Sequence, residues 1–339
     1  MRSPLQGGLP PRDAVVGAVV EIACDESGFS GTNLLHSTAP LITHASVDLA
    51  VDEAVALITE LRSGFRFSPH ELKSGQFLRR SGADEALAWF LAALKSRAHV
   101  HLIDKEFFLV TRIVEFLLTE PSYAAGTRLA REHQPAALAL YGARGSAGND
   151  WEVFLAAFVD LVRMKRRLPA HRTIERFFQA RDALLRHTLG PAADGVLNGL
   201  DPSRVRAVVT RLDNDDRSVP PPLEPLLPAL AETVLYWSGG RRQVLVTHDE
   251  QSALTADRLT RLQRVLAGGG ASTAGDDSAP ALPDGVSPLA GLVMVDSRDD
   301  PRVQVADLLA GVARRLPAII DDALRQPLPP SVLLRGPEE

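Results

Sequence analysis

From Ala14 to Cys24 the chain is almost wholly apolar (AVVGAVVEIAC), and the run stops abruptly at Asp25-Glu26-Ser27-Gly28. Small and β-branched residues bounded by turn residues predict a buried strand. A carboxylate at the mouth of such a strand is costly to desolvate unless it meets a metal, a cation or water. Taken alone, the stretch reads equally as an acidic turn open to solvent or as the centre of a site. Three later runs follow the same grammar: HVHLID ends at Asp104, RQVLVTHD at Asp249 and LAGLVMVD at Asp296. Strand ends on one edge of a mixed sheet gather their polar groups in one crevice. Four such strands favour a shared acidic site over four separate turns.

Helical periodicity fills the spaces between these runs. Asp52–Leu61 carries Asp-Glu in its first turn, which suits the helix dipole. Asp84–Leu94 and Phe107–Leu118 are further helices, and 34–49 is expected to hold two more strands, broken at Ala39-Pro40. From Pro121 to about Ser238 the pattern turns mostly helical, with Trp151–Arg167, Thr173–His187 and Pro221–Trp237 clearest. A stretch this long is no plain loop. The expected organisation is an α/β domain from 13–120 and 239–325, a helical insertion or cap at 121–238, and tails at 1–12 and 326–339. The Gly/Ser/Ala/Pro/Asp-rich segment 267–288 reads as a flexible linker within that domain.

The last helix starts at Asp300-Pro301, an N-cap followed by proline at the first helical position. Asp300, Gln304, Asp307 and Gly311 share one face by helical spacing. Asp300 is explained by capping alone. Asp307, inside QVADLLAG, is too enclosed by apolar neighbours for a solvated face, and a ligand role is expected. Carboxylates converging from two strand ends and a helix suit hard cations with oxygen ligands, Mg²⁺ or Mn²⁺. Two such ions together can activate a water and stabilise the leaving oxygen of a phosphodiester.

Composition adds three constraints. The net charge of −5 argues against wholesale coating by nucleic acid. A single cysteine, Cys24, excludes a disulfide framework and any cysteine-based zinc site. Of 37 basic residues only Lys73, Lys95, Lys105 and Lys165 are lysine. Where arginine is the default cation, Lys73 and Lys105, both beside carboxylates, are candidates to balance an acidic cluster or hold a phosphate; they read equally as surface lysines. No apolar run approaches the length of a membrane span. Glu21 and the acidic pair after Cys24 fit a signal peptide poorly. The expectation is a cytoplasmic protein with no membrane partner.

A local basic face stands out within the helical stretch. Arg163, Lys165, Arg166, Arg167, Arg172 and Arg176 precede Arg181 and Arg186, with only Glu175 and Asp182 as acidic residues between 161 and 190. Such a face is what a nucleic-acid substrate needs beside an acidic metal site, and it reads equally as an ordinary solvated face. Phe177 and Phe178 read as core. His171, His187 and His248 lack zinc-ligand spacing and read as surface or site-edge residues.

Asp25-Glu26-Ser27-Gly28, Glu71-Leu72-Lys73-Ser74, Ile103-Asp104-Lys105, His248-Asp249-Glu250-Gln251 and Asp296-Ser297, followed by Val303–Gly311 (VQVADLLAG), together resemble the DUF3800 family of bacterial and phage-associated proteins. The resemblance covers about 18–118 and 240–316. It implies a ribonuclease H-like fold: a mixed β-sheet flanked by helices, here with a large helical insertion. It also implies Mg²⁺ or Mn²⁺ held by Asp25 on the first strand, Asp249 on a central strand and Asp307 on the helix. Glu71 stands in for the second carboxylate, although it falls in a polar loop (FRFSPHELKSGQ) where the ribonuclease H pattern has a helix. The expected activity is metal-dependent cleavage of DNA or RNA, with Asp25, Glu71, Asp249, Asp307, Lys73 and Lys105 as catalytic set. The alternative is a non-catalytic module binding nucleic acid, or a protein through the insertion, on the same scaffold, in phage defence or a mobile element. No Walker-type loop or nucleophile elbow is present to support a nucleotide-binding or serine-hydrolase reading.

Overall fold

The computed structural model describes residues 8–10, 19–29, 34–35, 39–65, 73–80, 82–163, 168–268, 281–318 and 333–334. In chain order the elements are β1 (Val19–Ser27), β2 (Leu41–Val47), α1 (Val51–Ser63), α2 (Ser74–Phe77), α3 (Ala83–Ala93), β3 (Ala98–Asp104) and α4 (Lys105–Leu117). Next come α5 (Gln134–Gly142), α6 (Arg144–Ala147), α7 (Asn149–Val162), α8 (Ala170–Leu184), α9 (Pro191–Asn198), α10 (Pro202–Asp213) and α11 (Leu226–Ser238). They are followed by β4 (Gln243–Asp249), α12 (Ala256–Gly268), β5 (Leu289–Val295) and α13 (Pro301–Arg315). The chain divides into two compact units. One takes the described residues within Met1–Phe29, Leu41–Leu102 and Ala229–Leu333, and the other those within Ser30–Pro40, Ile103–Pro228 and Leu334–Glu339.

The first unit is built on a mixed sheet of order β5-β4-β1-β2-β3, with the two-residue strand Leu333–Leu334 next to β3. β1 is antiparallel to β2 and parallel to β4, and β4 is parallel to β5. β2 and β3 run antiparallel, since the Asp48 N–H donates to Arg97 O while Ser46 Oγ donates to His99 O. Along β1, residues alternate between the two faces of the sheet. Ala23, Ala45 and Val47 pack with Leu57, Leu61, Phe90 and the α13 residues Val303, Leu309 and Val312 on one face. On the opposite face Ser46 Oγ accepts from Trp237 Nε1 of α11, at 2.8 Å. α13 is pinned to the sheet by Thr43 Oγ1, which donates to Ala310 O at 2.7 Å. The Arg302–Glu21 ion pair and the bond from Arg314 Nε to Ser27 Oγ hold its two ends against β1.

The second unit is helical. α7 packs on α8 and α4 on α5, with Phe107, Phe108, Phe116, Phe154, Phe158 and Phe177 fully buried. Arg112 is buried between the rings of Phe108 and Phe116, one helical turn to either side, and pairs with Glu115 at 3.5 Å.

Several expectations change. The division falls at Leu102/Ile103 and Pro228/Ala229 rather than at 120/121 and 238/239. α4 follows β3 without a break and packs with α5, α7 and α10, whereas α11 places Trp237 and Thr233 on the sheet. Only one strand, β2, forms in 34–49 among the described residues. Leu9, expected in a frayed tail, exchanges both backbone hydrogen bonds with Leu292 at 2.8 Å and is buried, closing part of the exposed β5 edge. Residues 281–288 of the expected linker are tied down by bonds from Leu282 N–H to Gly240 O and from Gln243 Nε2 to Ser287 O, while 269–280 lie outside the described residues. Among the described residues no helix is long and apolar enough to cross a membrane.

Candidate functional site

β1 and β4 pair in parallel from Val19↔Gln243 to Cys24↔His248. One further step brings Asp25 level with Asp249 on the face turned to α13. Asp25 is 5% exposed, and its Oδ1 accepts the Glu26 N–H at 2.7 Å. Burial, reinforced by the charges of Glu26, Asp307 and Asp249, pushes its carboxyl up to about 9. Asp249 Oδ1 accepts the Ser297 N–H at 2.9 Å, which ties the β4 end to the turn after β5. Asp307 sits mid-helix on α13, and Lys73 Nζ, at the start of α2, donates to its Oδ2 at 3.4 Å. Close packing sets α2 in place: a Cβ on Gly311, one turn beyond Asp307, would collide with Ser74 Oγ.

Asp25, Asp249 and Asp307 are thus brought into one electrostatic neighbourhood with Lys73. Among the described residues no three His, Cys, Asp or Glu side chains already stand close enough to hold one ion. Glu71 lies outside the described residues. Glu26 points to the other side of β1, where its Oε1 accepts from Gln251 Nε2. Asp300 caps α13 by accepting the Arg302 N–H. Asp296 is chelated by the Arg298 guanidinium of its own turn.

Asp104 and Lys105 belong to the helical unit. Asp104 caps α4 through the Phe107 N–H and accepts from Tyr141 OH. Lys105 is buried, and its ammonium donates to Ala39 O at 2.9 Å. In the same unit Arg172 and Arg176 are both exposed on α8, one turn apart; Arg172 pairs with Glu175, and Arg163 with Asp160. Lys165, Arg166 and Arg167 lie outside the described residues. Phe177 is core, and Phe178 carries the Arg181 guanidinium over its ring at 4.5 Å.

Set against known proteins, the chain matches no family model, no curated protein and no solved structure.

Behind the acidic face lies a feature the sequence reading missed. His248, expected at the surface or site edge, is fully buried, as is His44 on β2. His248 Nδ1 donates to Asp249 O at 2.9 Å, so its Nε2 is the acceptor in the neutral ring. His44 Nε2 then donates to it at 3.2 Å, and His44 Nδ1 accepts from Thr233 Oγ1 on α11 at 2.9 Å. The chain of bonds runs through the sheet face to the backbone of Asp249. Burial holds His248 down at about 4, and burial together with His248, His101 and His99 lowers His44. The signal was period-two spacing: His44 follows Ile42, and His248 follows Val244 and Val246, at alternate positions of their strands, which puts both on a buried face.

Proposed function

We propose that this protein is a divalent-metal-dependent nuclease of ribonuclease H-like, DUF3800-type character, hydrolysing phosphodiester bonds at Asp25, Asp249 and Asp307. The carrying observation is Asp25: a carboxylate held in the interior, level with Asp249 and facing Asp307, pushed up to about 9 by burial and by these charges. Such a group is an anion at neutral pH only when a cation compensates it. Oxygen donors alone make a hard-cation set, which fits Mg²⁺ or Mn²⁺ rather than zinc. The mixed sheet with β1 at its centre and helices packed on it supports the same reading.

Asp25, Asp249 and Asp307 would hold the cation, which supplies Lewis-acid activation of water and stabilisation of charge on the leaving oxygen. Without a cation Asp25 would hold its proton, and a bound cation would compete with that proton, so affinity would rise with pH. The Ser297 N–H orients Asp249. Lys73 neutralises Asp307 and is placed to take a phosphate oxygen instead. Net hydrolysis joins the oxygen of water to phosphorus and breaks the phosphorus–oxygen ester bond, whose oxygen leaves with a proton.

The test is cleavage of labelled single-stranded DNA, duplex DNA, RNA and RNA–DNA hybrid, with Mn²⁺ or Mg²⁺ and with chelator, beside Asp25→Asn and Asp307→Asn. Metal-dependent cleavage lost in both variants is expected, and cleavage that survives both overturns the assignment. The second reading, a module that binds nucleic acid without cutting it, is favoured by the lack of a ready-made three-donor cage among the described residues. Tight binding by the intact protein with no cleavage under any of these metals selects it.

A further inference from the structure

Beyond the acidic face, the same end of the sheet unit carries arginines that the basic-face reading of the sequence did not include. Arg314 lies two turns past Asp307 on α13, on the same face by helical spacing. Its Nε donates to Ser27 Oγ at 3.0 Å, and Ser27 lies two positions past Asp25, on the same side of β1. Arg315 follows it. Arg79 comes from the end of α2, where its Nε donates to Gly75 O at 2.7 Å. Arg79 and Arg315 are exposed and Arg314 is half-buried.

Two glycines let these side chains come together. A Cβ on Gly75 would lie 2.9 Å from Arg315 Nη2 and 3.5 Å from Arg79 Nη2, so both guanidinium groups flank one stretch of backbone. A Cβ on Gly28, whose φ is +93°, would lie 2.6 Å from Arg314 Cδ. Among the described residues none of Arg79, Arg314 and Arg315 has a carboxylate within ion-pair range. Burial and the neighbouring Arg315 charge lower the Arg314 guanidinium. Two arginines in a last helical turn satisfy the helix dipole. The third comes from another element, and like charges gathered without an anion are unfavourable unless a polyanion covers them.

We propose that Arg79, Arg314 and Arg315 form a phosphate track that holds the backbone of a single nucleic-acid strand leading to the Asp25–Asp307 face. An acidic protein whose guanidinium groups beside an acidic centre meet no carboxylate among the described residues is complementary to a chain of phosphates, one of which lies over the carboxylates while the next are gripped. Arginine suits this role, because its planar fork matches phosphate oxygens. The inference rests on the nuclease reading for the fate of the strand but not for its binding.

The experiment uses the full chain with chelator present, and fluorescein-labelled oligothymidylate and oligouridylate as probes. Affinity is measured across a salt series for wild type, for Arg79→Gln/Arg314→Gln/Arg315→Gln, for the corresponding triple Lys variant and for Arg172→Gln/Arg176→Gln. Each phosphate contact on a single strand contributes about 0.7 to the slope of log affinity against log salt. The triple Gln variant is expected to lose about 2 from that slope, equally for both probes. The triple Lys variant and the α8 variant are expected to keep it. No binding by wild type, an unchanged slope in the Gln variant, equal loss in the Lys variant or loss confined to the α8 variant each overturns the track. Cleavage with Mn²⁺ is scored separately. Arginine-dependent binding without cleavage removes the nuclease reading and leaves the track, while cleavage with an unchanged slope removes the track and leaves the nuclease.

Discussion

His44 Nε2 donates to His248 Nε2 across 3.2 Å; a second proton on His248 breaks that bond, and one on His44 displaces the hydrogen bond its Nδ1 accepts from Thr233 Oγ1. Both rings are neutral in the folded chain at neutral pH, because burial holds His248 at about 4 and, with the neighbouring histidines, lowers His44 well below its ordinary value. In the unfolded chain each titrates near 6.5.

Acid therefore favours unfolding through this pair. The unfolded state binds more protons below about pH 6.5, so stability is lost as pH falls from there toward 4. His248 alone accounts for about 3 kcal/mol over that window, with His44 acting in the same direction. Urea unfolding of Asp25→Asn protein at pH 7 and pH 4 isolates the effect from Asp25. No loss of stability between the two would place charged histidines in the interior and refute the hydrogen-bond order.

Asp25 carries the opposite slope. Its carboxyl sits at about 9 when folded and near 3.8 when unfolded, so the folded state binds the extra proton between those values. Stability then falls as pH rises through that window, by up to about 1.4 kcal/mol per pH unit. Asp25→Asn flattens the slope and is more stable than wild type at pH 8. Mn²⁺ at about 100 times its Kd restores about 2.7 kcal/mol to wild type, and nothing to Asp25→Asn. Thermal melts with and without Mn²⁺ at pH 6 and pH 8 measure both effects. Equal metal stabilisation of the two proteins would show that the ion binds elsewhere.

Gly311→Ala tests how α2 is held. The added methyl collides with Ser74 Oγ, whose Cβ lies almost as near. Overpacking of this kind costs about 1–3 kcal/mol, and α2 must shift, taking Lys73 from Asp307. Gly311→Ala/Ser74→Gly is expected to recover most of the loss. Urea midpoints of the two variants decide it, and a single variant as stable as wild type would mean that the contact yields at no cost.

The strands and their acidic exits were legible because a buried run of β-branched residues can be read locally, as can a proline-started helix after Asp300. Which exits share a site was not. Asp104 ends its strand as Asp25 does, but the α4 N–H groups claim it as a cap, and Asp296 is claimed by Arg298 two residues on. Only the register of β1 on β4 singles out Asp249, and register is set by pairing across distant sequence. Lys73, singled out as a rare lysine beside a carboxylate, lies against Asp307. Lys105 carried the same signal, yet its ammonium serves the Ala39 carbonyl. The arginine group at Gly75 was invisible for a similar reason: Arg79 and Arg315 meet only through a glycine between them.

The pairing of β1 with β4 also has a kinetic side. Val19 finds its partner in Gln243, more than two hundred positions later, after the whole helical unit. Loops of that span close slowly, and parallel pairing of this kind raises contact order and lengthens folding. During synthesis β1 and β2 wait with one edge of β1 unsatisfied while α4 to α10 are made, a period in which an apolar strand edge is open to mispairing. Asp307 arrives later still. A nascent chain that has emerged only as far as α12 holds Asp25 and Asp249 without their third carboxylate, so whatever chemistry the three perform is withheld until α13 docks on the sheet.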